Sequence, residues 1–194
     1  MMEISKKEFR KMIADKRAGL SKEYMKNASD GITKAVLESD IYKKSRCIFI
    51  FVSMPGEPDT TGIIKAAFKD GKTVCVPKCY ENRQMKPVII KSLDDLKPGA
   101  YGIPEPYGEL EIADEADVDL SFIPCISANK KGERIGHGGG YYDIFLERSK
   151  SIRLCICFEK LSAPDIPVSD LDQKMDYVLT ESGVFRCNGL SLIH

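Results

Sequence analysis

The stretch "GHGGG" (Gly136–Gly140) places four glycines in five positions, directly ahead of Tyr141, Tyr142, Asp143 and an apolar, helix-like run. Glycine loses more conformational freedom on folding than any other residue. A cluster of it therefore marks either a tight turn or a backbone that must come close to a ligand. The chemistry on offer is anion binding. A helix start leaves N–H groups unsatisfied and carries partial positive charge. Glycines ahead of it let the backbone approach without Cβ clashes, and successive N–H groups can form a nest for phosphate. Arg134 stands just before the cradle, and a guanidinium pairs with phosphate oxygens bidentately. Asp143, just inside the helix, could cap it or hold a magnesium ion, which usually takes one or two carboxylates plus phosphate oxygens and waters. From spacing alone the structural turn and the anion site both stay open, as do the two roles of Asp143.

The loop is not a Walker A sequence, which would end in Gly-Lys-Ser/Thr. Nor is it a GxGxxG fingerprint, because Tyr141 stands where the last glycine belongs. Adjacent Tyr141 and Tyr142 cannot share a helix face, so one is expected in the core and the other in the pocket. His137 reads as an exposed or hydrogen-bonding loop residue. No Ser/His/Asp or Cys/His set is there to complete it, and the second histidine is the terminal His194. No catalytic side chain is assigned.

The elements that must position this loop follow from periodicity. Ser5 and Glu8 form a capping box, and Phe9, Met12, Ile13 and Leu20 then follow near one helix face. A second helix, capped by Ser21, is expected to run to about Glu38. "CIFIFVS" (Cys47–Ser53) reads as a strand buried on both faces. Asp59 or Thr60 caps a helix ending at Gly71, "TVCVPK" is a second buried strand, and "KPVII" a third. "KPGAYGIPEPYGE" is turn-rich. "LSFIP" feeds the glycine loop, a helix spans about Tyr141 to Ser149, "IRLCICF" is another strand, and "DYVLTE" is expected to be the last. Buried strands alternating with helices predict an α/β domain with a largely parallel sheet. No internal repeat, low-complexity tract or linker is seen, so residues 1–194 are expected to form a single domain.

Composition sets the remaining bounds. Of 194 residues, 43% are hydrophobic and 30% charged, with zero net charge; this is ordinary globular composition, with no whole-protein field to favour nucleic acid or an anionic membrane. Residues 1–26 nevertheless carry eight Lys/Arg against four Asp/Glu. The seven cysteines form no CxxC pair, so they read as small buried hydrophobes in a reducing cytosol rather than zinc ligands. The amino terminus lacks a signal-peptide core, and no run approaches a membrane span. A cytoplasmic monomer without membrane or nucleic-acid partners is expected.

"RIGHGGGYYDIFL" resembles the signature loop of the 5-formyltetrahydrofolate cyclo-ligase family, also called methenyltetrahydrofolate synthetases. "KKEFRKMIADKR" is similar to the family's first helix, "FVSMPGEPDTTGIIKAAFKDGKTVCVPK" to its first strand, acidic turn, helix and second strand, "YGIPEP" to its mid-chain turn and "DYVLTE" to its end. The resemblance runs in order along nearly the whole chain. It implies a three-layer α/β/α domain with a mainly parallel sheet. It also implies ATP- and Mg2+-dependent closure of 5-formyltetrahydrofolate to 5,10-methenyltetrahydrofolate, with release of ADP and phosphate.

Carried over by position, ATP binding falls on Lys6, Lys7, Glu8, Phe9 and Arg10, and on Arg134, Ile135, Gly136, His137, Gly138, Gly139, Gly140, Tyr141 and Tyr142. Folate binding falls on Arg10, Val52, Glu57, His137, Gly138, Gly139, Gly140 and Tyr141, and magnesium on Asp143 and Asp176. Lys6 is preferred to Lys7 as the phosphate lysine because it lies four residues from Arg10, on the same helix face. Two departures stand out: Gly139 occupies a place where some relatives carry a lysine, and His137 one where an arginine or aromatic is common. The readings weighed against this one are a sugar-phosphate isomerase or CoA-transferase-like enzyme, and a non-catalytic nucleotide-binding module on a similar scaffold.

Overall fold

The computed structural model describes residues 4–99, 102–187 and 191–193. Helix α1 (Lys6–Ala18) starts on the expected capping box, with Ser5 Oγ accepting from the Glu8 N–H and the Glu8 carboxylate accepting from the Ser5 N–H. Such a cap contributes about 1 kcal/mol. Helix α2 (Lys22–Glu38) is capped by Ser21 as expected, and a short α3 (Asp40–Lys44) that the periodicity did not suggest is capped by Ser39. Strand β1 (Cys47–Ile50) is buried at every position. Helix α4 (Thr61–Lys69), β2 (Thr73–Cys79) and β3 (Met85–Ile90) follow. Of the two expected caps, Thr60 holds the N-cap position of α4 but makes no side-chain cap, and Asp59 supplies the side-chain acceptor. Asp59 Oδ1 accepts from the Thr61 N–H at 2.9 Å, while the Thr60 hydroxyl donates to the Phe51 carbonyl at 2.8 Å.

The turn-rich middle yields a small antiparallel ladder of β4 (Leu96–Pro98) and β5 (Pro104–Pro106). Then come β6 (Leu120–Pro124), the hairpin of β7 (Ser127–Ala128) and β8 (Arg134–Ile135), α5 (Tyr141–Arg148) and β9 (Ile152–Ile156). The chain closes with β10 (Tyr177–Thr180), β11 (Gly183–Arg186) and β12 (Ser191–Ile193). The expectation that "DYVLTE" ends the sheet is corrected. It is β10, and a tight turn returns the chain at Gly183, whose φ of +131° only glycine adopts readily. Thr180 then pairs with Gly183.

The main sheet has eight strands in the order β12-β11-β10-β9-β6-β1-β2-β3. The central strands β10, β9, β6, β1 and β2 are parallel; β3, β11 and β12 join antiparallel. From β1 the chain steps to β2 on one side, and from β6 it steps to β9 on the other. Right-handed crossovers therefore put α4 and α5 on opposite faces, which makes the three layers. On one face α2 packs against α4 and the β10–β11 end. On the other, Phe145 of α5 meets Phe49 of β1 with ring centroids 4.5 Å apart.

All seven cysteines are free thiols, and five are buried as expected, but Cys79 is exposed and Cys187 half-buried. No helix among the described residues is long and apolar enough to cross a membrane. The strand order reverses between β1 and β6, and such a reversal opens a crevice at the carboxyl ends of the strands, where open α/β sheets bind ligands. Glu57 follows β1 and the glycine loop follows β6, so the topology alone brings the two sequence regions to one place.

Candidate functional site

Helix α1 forms one wall. Lys6, Arg10, Ile13 and Arg17 recur at helical spacing on one stripe, anchored by buried Phe9 and Ile13. Arg10 Nε donates to the Gly136 carbonyl at 2.8 Å. Its guanidinium lies so close to Gly138 that a Cβ there would sit 3.4 Å from it. Lys6 Nζ is ion-paired with Asp172 and donates to Ser169 Oγ at 3.0 Å. Lys7 is exposed, Glu8 is engaged in the helix cap and Phe9 is turned into the core, so only Lys6 and Arg10 of that run face inward. Lower down, the Arg17 side chain passes Gly56, where a Cβ would meet its Cδ at 3.4 Å.

Burial alone would raise the Asp172 carboxyl, but hydrogen bonds from Lys6 and Ser169 outweigh it and hold the group below the usual carboxylate range. A depressed folded value means that this contribution to stability is present above about pH 4 and fades as the pH falls through the folded value.

The loop itself is held by conformations that side chains resist. Gly138 and Gly140 have φ of +99° and +74°, and a Cβ on Gly139 would come within 3.0 Å of the Tyr141 ring. Gly140 is the N-cap of α5 and supplies no side-chain cap, so the first N–H groups of the helix have no capping side chain. Gly138→Ala is expected to cost about 1–3 kcal/mol of stability from backbone strain. The added Cβ would meet the Arg10 guanidinium at 3.4 Å, an ordinary van der Waals contact, so the loss is one of backbone strain and is read in a thermal melt.

Arg134 differs from the expectation of a free phosphate clamp. Its side chain is only 4% exposed, and Nη2 donates to Asp143 Oδ1 at 2.6 Å. Its buried Nε has no hydrogen-bond partner among the described residues. Asp143 Oδ1 also accepts from the Gln173 N–H at 3.2 Å. Asp143 is therefore the counter-ion of Arg134 rather than a helix cap, while its Oδ2 has no hydrogen-bond partner among the described residues. Ile135 is buried behind the loop.

Asp176 stands elsewhere. It precedes β10, and its Oδ2 accepts from the Arg153 N–H at 2.8 Å, tying β10 to the amino-terminal end of β9. No hydrogen bond or ion pair among the described residues links it to the site of Asp143. The carboxylate that does approach the α1 and α5 ends is Asp172, next to Gln173. Sequence reading did not single it out, because nothing in "SDLDQ" distinguishes one loop aspartate from another. Arg17 was not singled out either, although it continues the stripe of Lys6 and Arg10 at helical spacing. Asp176→Ala is expected to lower the melting temperature by a few degrees in a thermal melt, since one part-buried acceptor is worth about 1 kcal/mol.

The opposite wall is the acidic turn after β1. Glu57 is 6% exposed by side chain and sits 3.4 Å from His137 Nε2, with His137 half exposed. Its other oxygen accepts from the Met54 N–H at 2.9 Å. Val52 is partly buried against the core. Tyr142 packs on Phe49 with centroids 6.4 Å apart; burial, then the nearby Glu57 charge, push its hydroxyl well above the usual tyrosine range. Both tyrosines are half-buried, so the division into one core and one pocket residue is less sharp than expected. Among the described residues no group of three or more His, Cys, Asp or Glu side chains is arranged to hold a metal ion.

This arrangement can hold a polyanion between α1, the glycine loop and the start of α5, with Glu57 offering an acceptor to a second, donor-bearing molecule. Known proteins are similar to this chain in sequence and in fold. A mouse 5-formyltetrahydrofolate cyclo-ligase is 32% identical over 91% of this chain and 94% of its own length. A Schizosaccharomyces pombe protein named as a probable 5-formyltetrahydrofolate cyclo-ligase is 29% identical over 95% of this chain and 99% of its own. The solution structure of an Aquifex aeolicus 5,10-methenyltetrahydrofolate synthetase superposes with a TM-score of 0.86 at 30% identity, covering 98% of this chain and 97% of that one. A Mycoplasma pneumoniae synthetase of 18% identity shares the fold, with a TM-score of 0.74. The model of the 5-formyltetrahydrofolate cyclo-ligase family matches residues 2–181, and the chain belongs to that family.

Proposed function

We propose that the activity for which the family is named, closure of 5-formyltetrahydrofolate to 5,10-methenyltetrahydrofolate, is driven here by ATP with magnesium. The observation that carries this reading is the contact of Arg10 with Gly136 and Gly138. A cation is held against a loop of positive-φ glycines at a helix start, at the crevice where the strand order reverses. That is a phosphate site by charge, by backbone and by topology.

The chemistry needs such a site. A formamide is a weak electrophile, and hydroxide is a poor leaving group. The formyl oxygen attacks the γ-phosphorus, the bond to ADP breaks, and the formyl carbon becomes an activated iminium-type centre. N10 then adds to that carbon and loses its proton, and the carbon–oxygen bond breaks to release phosphate. The protein has to align two substrates and neutralise phosphate charge, so no covalent nucleophile is required.

In this reading Arg10 and the N–H groups of Gly138–Tyr141 hold the terminal phosphates, and Lys6 joins them by exchanging its Asp172 partner for phosphate. Glu57 accepts from the N–H-rich edge of the reduced pterin, with Tyr142 and Val52 shaping the wall behind it and His137 steadying Glu57. A magnesium ion would supply charge neutralisation of the phosphates. Asp143 fits it through its unused Oδ2, since magnesium needs few protein oxygens when phosphate and water complete its shell. Asp176, engaged with β9, fits it less well. The free thiols agree with a reducing compartment.

The reading is tested by labelling the formyl oxygen with oxygen-18 and collecting the released phosphate. The label is expected in phosphate; label that stays out of phosphate while product forms would exclude phosphorylation at that oxygen. Glu57→Gln is expected to raise KM for the folate about tenfold, the worth of one charge-assisted hydrogen bond, while leaving KM for ATP within about twofold. Steady-state kinetics in both substrates would show the reverse pattern if Glu57 served the nucleotide.

A further inference from the structure

The loop between β2 and β3 contains a residue that the reading above does not use. Asn82 and Arg83 have φ of +58° and +57°, the positive-φ non-glycine residues among those described. Asparagine tolerates this region, but arginine has no intrinsic reason to adopt it. The Arg83 side chain reaches the start of α5, where its Nη1 lies 3.9 Å from the position of a Cβ on Gly140. Arg83 is thus an exposed guanidinium beside the N-cap of α5.

A cation is out of place there. The partial charge at a helix N-terminus is positive, and like charge is disfavoured within the first turn. The other cations around the loop have partners: Lys6 has Asp172, Arg134 has Asp143, and Arg10 has the Gly136 carbonyl. Arg83 has neither an ion pair nor a side-chain hydrogen bond among the described residues. The glycine loop carries no lysine or arginine of its own between Gly136 and Gly140. The loop with Arg83 leads into β3, which packs against α5.

We propose that Arg83 is a nucleotide-phosphate ligand, flanking the glycine cradle at Gly140 as Arg10 flanks it at Gly138, and supplying the positive charge that the loop lacks. This rests on the ATP reading. A phosphate seated on the α5 N–H groups would neutralise the Arg83 guanidinium and make its position favourable rather than repulsive. A folate carboxylate is the other anion that could reach it, and the test separates the two.

Calorimetric titration with a non-hydrolysable Mg-ATP analogue, and separately with 5-formyltetrahydrofolate, would be run on the wild type, Arg83→Ala, Arg83→Lys and Arg83→Gly. The nucleotide Kd is expected to rise about tenfold in the alanine and glycine variants and to recover in part with lysine. The folate Kd is expected to stay within about twofold in all four. Glycine relieves the backbone strain, so Arg83→Gly should melt higher than the wild type while binding nucleotide more weakly. Equal nucleotide affinity in wild type and Arg83→Ala would overturn the proposal, as would a loss confined to folate. A wild type that binds folate but no nucleotide would overturn the ATP reading itself, and this proposal with it.

Discussion

Arg10→Ala is expected to lower kcat/KM by roughly 10- to 150-fold, from the loss of a charge-assisted contact worth about 1.5–3 kcal/mol. The expectation follows from placement. Arg10 joins α1 to the glycine loop, through Gly136 and beside Gly138, so its removal takes away both the proposed phosphate ligand and the brace that shapes the cradle. It is only half-buried, and its neighbours Phe9 and Ile13 keep α1 on the core, so the melting temperature should fall by no more than a few degrees. Arg10→Lys keeps the charge but cannot reproduce a planar guanidinium that bonds a carbonyl through Nε while offering its other nitrogens to phosphate. Its activity is expected between the two. A folded Arg10→Ala protein with near wild-type kcat/KM would remove Arg10 from the site.

The second large effect is on stability. Asp143→Asn should destabilise the fold by about 3 kcal/mol, because the guanidinium of Arg134, 4% exposed, keeps its charge and loses its counter-ion. For a chain of this size that is roughly a 6–12 °C fall in melting temperature. Denaturant unfolding at neutral pH reads it directly. Pairing Asp143→Asn with Arg134→Met removes the stranded charge, so the double variant should be more stable than the single one, a coupling that independent sites do not produce. Activity is expected to fall in both, since each lacks the carboxylate that fits magnesium, and high magnesium should restore part of it. A single variant as stable as the wild type would mean that Arg134 finds another partner, and that Asp143 is free for other work.

The two variants also mark how far the sequence reaches. The helix starts at Ser5 and Ser21 were legible because capping is local chemistry, and β1 because a strand covered on both faces must be apolar throughout. The meeting of Glu57 with the glycine loop was implied by resemblance. Its physical cause, the reversal of strand order between β1 and β6, is a property of the sheet that no local pattern contains. The Arg134–Asp143 pair was missed for the same kind of reason: each residue was read singly against phosphate and metal, and the eight intervening residues hid their contact. Asp172 and Arg83 were missed because their significance lies wholly in what they approach, Lys6 in one case and Gly140 in the other. β11 and β12 were overlooked because a single glycine turn after Thr180 decides whether the chain ends or returns.

The most direct test of the account is the absorbance of purified protein mixed with 5-formyltetrahydrofolate and Mg-ATP, followed over time beside mixtures lacking ATP or magnesium. The methenyl chromophore is expected to grow only in the complete mixture. Growth at the same rate without ATP, or none in a folded sample that binds both substrates, would contradict the claim that this crevice spends a phosphoryl group to close the folate ring.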